Sequence, residues 1–316
     1  MKSKIIFDTD PGIDDAFAIL YALYHPNLEV VGITTVFGNV SVETASKNAL
    51  ILSEMSGKKA PVFQGAHKAI QRDQEEFPTL IHGIDGFGNI NLPPAKMQKE
   101  NEEASEFIVK KINEIPNEIS IIAVGPLTNL ANAIQKDNSI QNKVKEVIIM
   151  GGSFREGGNI SPVAEANIYN DPEAADIVFS ASWNLTMVGL DVTHKVSLSS
   201  TQINQLPNKS RKCGEFLKKI SKCYIDFYRS KGMDGCFFHD ATSLIFHTNP
   251  DFFEYIEGKV CVSQDGLTRG QTVVLKNNLA DKNGFWNGRN SIKVLIRVNP
   301  VKVIDNYLNI VESFMD

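Results

Sequence analysis

The stretch IIFDTDPGIDDA, residues 5–16, sets four carboxylates, Asp8, Asp10, Asp14 and Asp15, within eight positions around a Pro-Gly turn. Extended backbone places Asp8 and Asp10 on the same side, and Asp14 and Asp15 fall at the start of the next helix. Helix capping accounts for one or two of these acids, at about 0.3–1 kcal/mol each. It does not account for four, because like charges a few ångströms apart raise one another's pKa and repel. A bound cation removes that conflict. Calcium takes six to eight oxygen ligands and tolerates irregular geometry, whereas magnesium prefers a tight octahedron with fewer protein donors.

Three further clusters could serve the same chemistry. In CFFHDATSL, His239 and Asp240 adjoin at the start of an expected helix. Asp240 could be an ordinary N-cap and His239 a surface residue, so the pair matters only if the fold brings it to the acids. Residues 150–176 form a long Gly-rich loop that ends in Glu165 and Asn167, followed by the helix start NDPEAAD. If the backbone there is extended, the Glu and Asn point to one side, a geometry suited to adjacent sugar hydroxyls. The alternative is a solvated surface loop. HGIDGFGN, residues 82–89, places His82 and Asp85 among three glycines; it reads as turns or as a lid whose His82 meets a ligand.

The elements that must position these residues are short, continuously apolar strands alternating with longer helical patterns. Strands are expected at 4–8, 28–36, 61–65, 119–124, 144–150 and 185–190, and helices at about 14–25, 41–56, 101–114, 126–136 and 172–181. Continuous apolarity means that helices cover both faces of the sheet. The expected fold is therefore α/β, a doubly wound, mostly parallel sheet. Beyond residue 200 the pattern gives helices at 209–229 and 240–247, a β-like stretch over 259–298 and a closing helix at 301–315. This last third is expected to cap one end of the sheet near the site. In such sheets the ligand crevice lies outside the carboxyl ends of the strands. DTDPGIDD, TTVFGN, VGPLTN and MGGSF each follow a strand, so four strand ends converge on one crevice.

The 316 residues, 42% hydrophobic and 22% charged, show no linker, repeat or low-complexity tract, which favours one domain over residues 1–316. A net charge of -5 without a basic block argues against binding of nucleic acid through its phosphates. Cys213, Cys223, Cys236 and Cys261 lack any C-x-x-C spacing and read as reduced thiols. MKSKIIFDTD is an apolar run broken at once by acids, neither a signal peptide nor a membrane span, and a cytoplasmic location is expected.

DTDPGIDDA, HGIDGFG, AVGPLTNLA, IIMGG, GNISPVAEANIYNDPEAA and the late HDA occur in that order and together resemble the inosine-uridine preferring nucleoside hydrolase family. The motifs run from residue 8 to residue 240; nothing later is matched. The resemblance implies hydrolysis of the N-glycosidic bond of a ribonucleoside, with one calcium ion. By motif, Asp10, Asp15, Asp240 and the backbone carbonyl of Val124 would hold the metal, and Asp10 would be the general base. Asp14, Asn39 and Asn167 match positions that bind ribose hydroxyls or position the attacking water. Asn159 and Glu165 match positions for the 5′-hydroxyl, Met150 lines the sugar pocket, and His239 lies near the base. Relatives are dimers or tetramers, which makes a homodimer or homotetramer the implied assembly. Many members carry an aromatic residue between the Glu and the Asn; this chain has Ala166.

The chemistry fits these assignments on its own terms. Glycosyl cleavage builds positive charge on the sugar ring, and a pocket of carboxylates stabilises it. The departing base needs a proton, for which His239 is the best-placed imidazole, with Tyr228 and Tyr224 as candidates for lining the base pocket or relaying that proton. Two other readings use some of the same residues. A haloacid-dehalogenase-like phosphohydrolase would employ Asp8 as nucleophile and Asp10 as acid/base with magnesium, but leaves DDA and the Gly-rich loop without a task. A nucleoside-binding protein without turnover would not require Asp10, Asn39 and His239 together.

Overall fold

The computed structural model describes residues 2–73, 76–277, 279–282 and 284–314. In chain order the elements are β1 (Ser3–Thr9), α1 (Ile13–Tyr24), β2 (Leu28–Thr35), α2 (Val42–Met55), β3 (Val62–Gln64), α3 (Thr79–His82), α4 (Ala104–Glu114), β4 (Ile119–Ala123), α5 (Thr128–Lys136) and β5 (Glu146–Met150). They continue with α6 (Ala166–Asn170), α7 (Pro172–Ser180), β6 (Leu185–Val188), α8 (Leu190–Thr193), β7 (Ser197–Leu198), α9 (Ser200–Lys209), α10 (Arg211–Ser230) and β8 (Cys236–Phe237). The chain closes with α11 (His239–Thr248), β9 (Phe253–Val262), β10 (Thr272–Lys276), β11 (Ile292–Val298) and α12 (Pro300–Val311).

One large sheet runs β10-β9-β11-β6-β5-β4-β1-β2-β3, in which β9 runs opposite to the other eight strands described. Each of the six expected strands falls on one of β1–β6, and the α/β class is as expected. Alternation along β1 explains the two-sided burial. Ile5 and Phe7 join a core with α1, α10, α11 and α12, while Ile6 faces the other way into a core with α4, α5 and α7. The strand order reverses between β1 and β4, which pair in parallel through Asp8 and Ala123. This switch point opens a crevice at the carboxyl ends of the two strands, and Asp10 and Val124 emerge there.

The last third departs from expectation. Rather than only capping the sheet, it extends it: β11 pairs parallel to β6, and β9 and β10 follow antiparallel. The helix expected over 209–229 is α10, but a separate helix, α9, precedes it. Ser199 and Gln202 form a reciprocal capping box that starts α9. Pro207 reads as a breaker in sequence, yet it is tolerated because α9 ends two residues later. The closing helix stops at Val311, and residue 315 of the expected span lies outside the described residues. No helix among the described residues is long and apolar enough to cross a membrane.

Candidate active site

Asp15 does cap α1, as the simple reading of the acids holds: its Oδ2 accepts the Gly12 N–H at 2.9 Å and the Asn39 Nδ2–H at 3.0 Å. Its Oδ1 accepts Thr9 Oγ1–H at 2.5 Å and the Asp10 N–H at 3.3 Å. Asp8 is fully buried away from solvent, where its Oδ1 accepts from Thr34 and from Asn129. It ties β2 and α5 to β1, and burial pushes its carboxyl up to about 7. Asp10 accepts the Asn39 N–H at 2.6 Å through Oδ2, while its Oδ1 is buried with no hydrogen-bond partner among the described residues. The backbone crowds this carboxylate closely. A Cβ at Gly38 would stand 2.0 Å from Asp10 Oδ2, so only glycine fits there.

α1 and α11 pack side by side, and both begin at the crevice. Asp14 and Asp15 lie in the first turn of α1 and Asp240 in the first turn of α11, where the helix dipoles favour negative charge. Oxygens of Asp14, Asp15 and Asp240 all lie within 4.8 Å of one another. The two acid clusters, 225 positions apart in sequence, thus meet (15 to 240). Asp10 is not one of that triad, but its charge, with those of Asp14 and Asp15, reaches Asp240. Burial first, and then Asp14, Asp15 and Asp10, hold Asp240 well above the ordinary carboxylate range. Burial likewise raises Asp10, Asp14 and Asp15. Oxygens of Asp10 and Asp14 that have no hydrogen-bond partner among the described residues, beside two more carboxylates, are the donor set a divalent cation requires. The residues fit such an ion.

Around this cluster lie the expected sugar contacts. Asn167 donates its amide to the carbonyls of Val124 at 2.8 Å and Met150 at 3.1 Å, bringing three expected residues to one place. Only Glu165 lies in extended backbone, however; Asn167 already belongs to the first turn of α6. Glu165 is the N-cap of α6, and its carboxylate accepts from the N–H groups of Asn167, Ile168 and Gly152. Helix geometry, not strand alternation, sets the pair's directions. Burial pushes Glu165 up to about 7. Asn159 is exposed at the rim, and its Oδ1 accepts the N–H of Ala166.

His82 is buried at the mouth, where Nδ1 accepts the Ile13 N–H at 3.1 Å, so the ring proton sits on Nε2. Burial lowers its pKa to about 4, which leaves the ring neutral beside Asp14. Asp85 does not face a ligand. Its side chain accepts the N–H groups of Phe87, Asn89 and Asn91 and shapes its own loop. On the other wall, His239 Nδ1 lies 2.9 Å from Thr193 Oγ1 and Nε2 lies 3.4 Å from Tyr228 Oη. Tyr228 Oη is 3.5 Å from Tyr224 Oη, which donates to Asp14 at 3.3 Å. Burial pushes His239 down to about 3, so it is neutral rather than a resident imidazolium at neutral pH.

Sequence reasoning overlooked Thr193, together with Phe237 and His194, whose rings stand 5.6 and 5.7 Å from that of His239. The signal was available: Thr193 follows β6, a fifth strand end at the same crevice. Thr193 is a positioning residue for His239. Replacing it with Val, nearly isosteric, removes about one hydrogen bond, near 1 kcal/mol, and kcat is expected to fall about five-fold. Thr193→Ser restores it; equal losses in Val and Ser variants would contradict this role.

A mostly parallel α/β sheet delivering five buried carboxyl groups (Asp10, Asp14, Asp15, Glu165 and Asp240) to its switch-point crevice defines an enzyme of the carboxylate-rich hydrolytic kind. The family model for inosine-uridine preferring nucleoside hydrolase matches residues 5–305. Uridine nucleosidase 1 of Arabidopsis thaliana is 41% identical over 306 residues, covering 96% of this chain and 91% of its own. The solved plant nucleoside hydrolase PpNRh1 superposes with a TM-score of 0.96 at 36% identity and 99% coverage of both chains. A purine-preferring ribonucleoside hydrolase from Gardnerella vaginalis gives 0.91 at 30% identity and 98% coverage of both. The chain belongs to the inosine-uridine preferring nucleoside hydrolase family, and it is a nucleosidase, hydrolysing the N-glycosidic bond of ribonucleosides.

Proposed function

We propose that the crevice hydrolyses ribonucleosides to ribose and free base with Asp10 as general base and calcium as the resident ion. The observation that carries this reading is the buried Oδ1 of Asp10, without a partner among the described residues, beside the Asp14, Asp15 and Asp240 cluster. Asp10, Asp15, Asp240 and the Val124 carbonyl would hold the ion; a divalent cation supplies Lewis acidity there, making water more acidic and tethering vicinal hydroxyls. Calcium suits this set because it accepts many oxygen donors in irregular array.

Asp10 takes the proton of the water whose oxygen bonds to C1′. Asn39, held by its donated bonds to Asp10 and Asp15, keeps those two carboxylates in register. Asp14 and Asn167 orient the ribose hydroxyls, Met150 walls the sugar, and Asn159 and Glu165 receive the 5′ end. Ala166 leaves that end without an aromatic platform. As C1′–N breaks, its electron pair goes to the base, and the ring's positive charge is stabilised by the surrounding carboxylates. The base receives its proton from His239, to which Tyr228 and then Tyr224 each hand one on. The proton that Asp10 took from water returns to Tyr224 through solvent once the products leave. His82 faces the substrate from the end of α3. The neutral state of His239 supports a relay over a standing imidazolium.

The test is release of base and reducing sugar from a panel of inosine, adenosine, guanosine, uridine and cytidine. Uridine comes first, because the plant relative bears that name. Turnover of none of the five overturns the reading. His239→Ala is expected to slow natural nucleosides about 10²–10⁴-fold while sparing p-nitrophenyl riboside, whose leaving group needs no proton. Equal slowing of both would remove His239 as the proton source. This reading also treats residues 1–316 as one domain, since both cores pack on one sheet, and adopts the cytoplasmic, homodimeric or homotetrameric setting of the resemblance.

A further inference from the structure

On the outer side of α10, away from the crevice, a cleft of about 660 Å³ opens between α9, α10 and the loop after α3. Its wall is apolar: Ile90, Leu92, Phe216 and Ile225 line it. Three of these are only half-buried, so the wall is open to solvent. Lys218, Lys219 and Lys222 stand on its rim, all exposed. None of the three has an ion-pair partner among the described residues. The acids nearby do not neutralise them. Asp226 pairs with Arg229, which also pairs with Asp234, leaving Glu215 as the one carboxylate of the lining without an ion pair among the described residues. Three free cations against one free anion, on a protein of net charge -5, give this cleft a local sign opposite to the whole. Its size is that of a small-molecule site.

We infer that this cleft binds an amphipathic anion, an aliphatic or aromatic body seated on the apolar wall with a carboxylate, sulfonate or phosphate on the lysines. Both walls carry residues of the hydrolytic crevice. α10 presents Tyr224 and Tyr228 on its inner side. The loop that supplies Ile90 and Leu92 is laced by Asp85 to its own backbone, and Gly88 N–H donates to the His82 carbonyl at 2.8 Å. Phe87 of that loop packs edge-on against Phe216 at 5.4 Å. A ligand spreading or closing these walls moves Tyr224, Tyr228 and His82 together, so occupancy alters turnover. The coupling rests on the hydrolase reading of the crevice; the binding does not.

The test uses 1-anilinonaphthalene-8-sulfonate as fluorescent probe on the folded chain, then decanoate below its micelle concentration as competitor. One probe per chain is expected, displaced by decanoate and not by decylammonium. The double variant Lys219→Glu, Lys222→Glu, folded as judged by circular dichroism, is expected to weaken both at least about tenfold. Saturating decanoate is expected to change kcat on uridine at least two-fold in the natural chain and not in the variant. Unchanged probe binding in the variant overturns the site, as does equal displacement by decylammonium. A variant that instead changes molar mass in light scattering shows a second copy as the occupant and also overturns it. Binding without any change of kcat overturns the coupling. A chain that binds the probe but cleaves no nucleoside contradicts the hydrolase reading alone.

Discussion

Asp10→Asn is expected to lower kcat on ribonucleosides by about two to four orders of magnitude, the contribution of a positioned general base, with the fold intact. The substitution is nearly isosteric. Its remaining oxygen can keep the 2.6 Å bond from the Asn39 N–H, so the loop after β2 stays in place. What changes is Oδ1, the buried oxygen without a partner among the described residues, which becomes an amide that cannot accept a proton from water. Steady-state kinetics on uridine or inosine, with circular dichroism and thermal melting as controls, measure this. A loss confined to KM would place Asp10 in substrate binding; activity within a few-fold of the natural chain would remove it from the chemistry.

Removing the divalent cation with a chelator is expected to abolish turnover and to make stability depend on pH in a particular direction. Without the ion, folding forces several acids together out of water. Burial pushes Asp14 and Asp15 up to about 6 and Glu165 up to about 7, while the unfolded chain releases these protons near pH 4. A carboxyl whose folded pKa is raised contributes stability that is present at low pH and lost as pH rises through the folded value. His82 and His239, pushed down by burial, contribute in the opposite direction. The raised carboxyls Asp8, Asp10, Asp14, Asp15, Glu165 and Asp240 outnumber them. The chelated protein is therefore expected to lose about 5 °C or more of Tm between pH 4 and 7, and added calcium to flatten that decline. Melting curves across that range, with and without calcium, check the sign. A Tm of the chelated protein that climbs through this window would contradict it.

Much of the candidate site was legible because its polar residues cluster at strand ends, and strand ends are contiguous in sequence. DTDPGIDD declared itself by an excess of charge that capping could not absorb. That the crevice lies at the strands' carboxyl ends followed from the alternation of apolar strands and helices, but the strand order that puts the switch point between β1 and β4 did not. What stayed hidden depended on packing between distant segments. That Asp240 meets Asp15 requires α11 to lie against α1 with both N-termini at the crevice, and nothing local in HDATSL says so. The direction of Glu165 was not legible because a helix cap and a strand residue share the same extended backbone, here φ -82 and ψ 146, and differ only in the conformation of the residues after them. α9 was hidden by Pro207. The β character over 259–298 was legible, but not that β11 would pair with β6 and carry β9 and β10 onto the main sheet, a contact between distant segments. Thr193 is an ordinary residue in DVTH until the fold sets it 2.9 Å from His239.

The proposed mechanism requires an ion shared between the first strand's end and the start of α11, and elemental analysis alongside turnover on the same samples addresses it. The expected result is one divalent cation per chain in active protein, none and no base release after exhaustive chelation, and return of both together on adding calcium, with Asp240→Ala unable to recover either. Ribonucleosides cleaved at full rate by metal-free protein would contradict it.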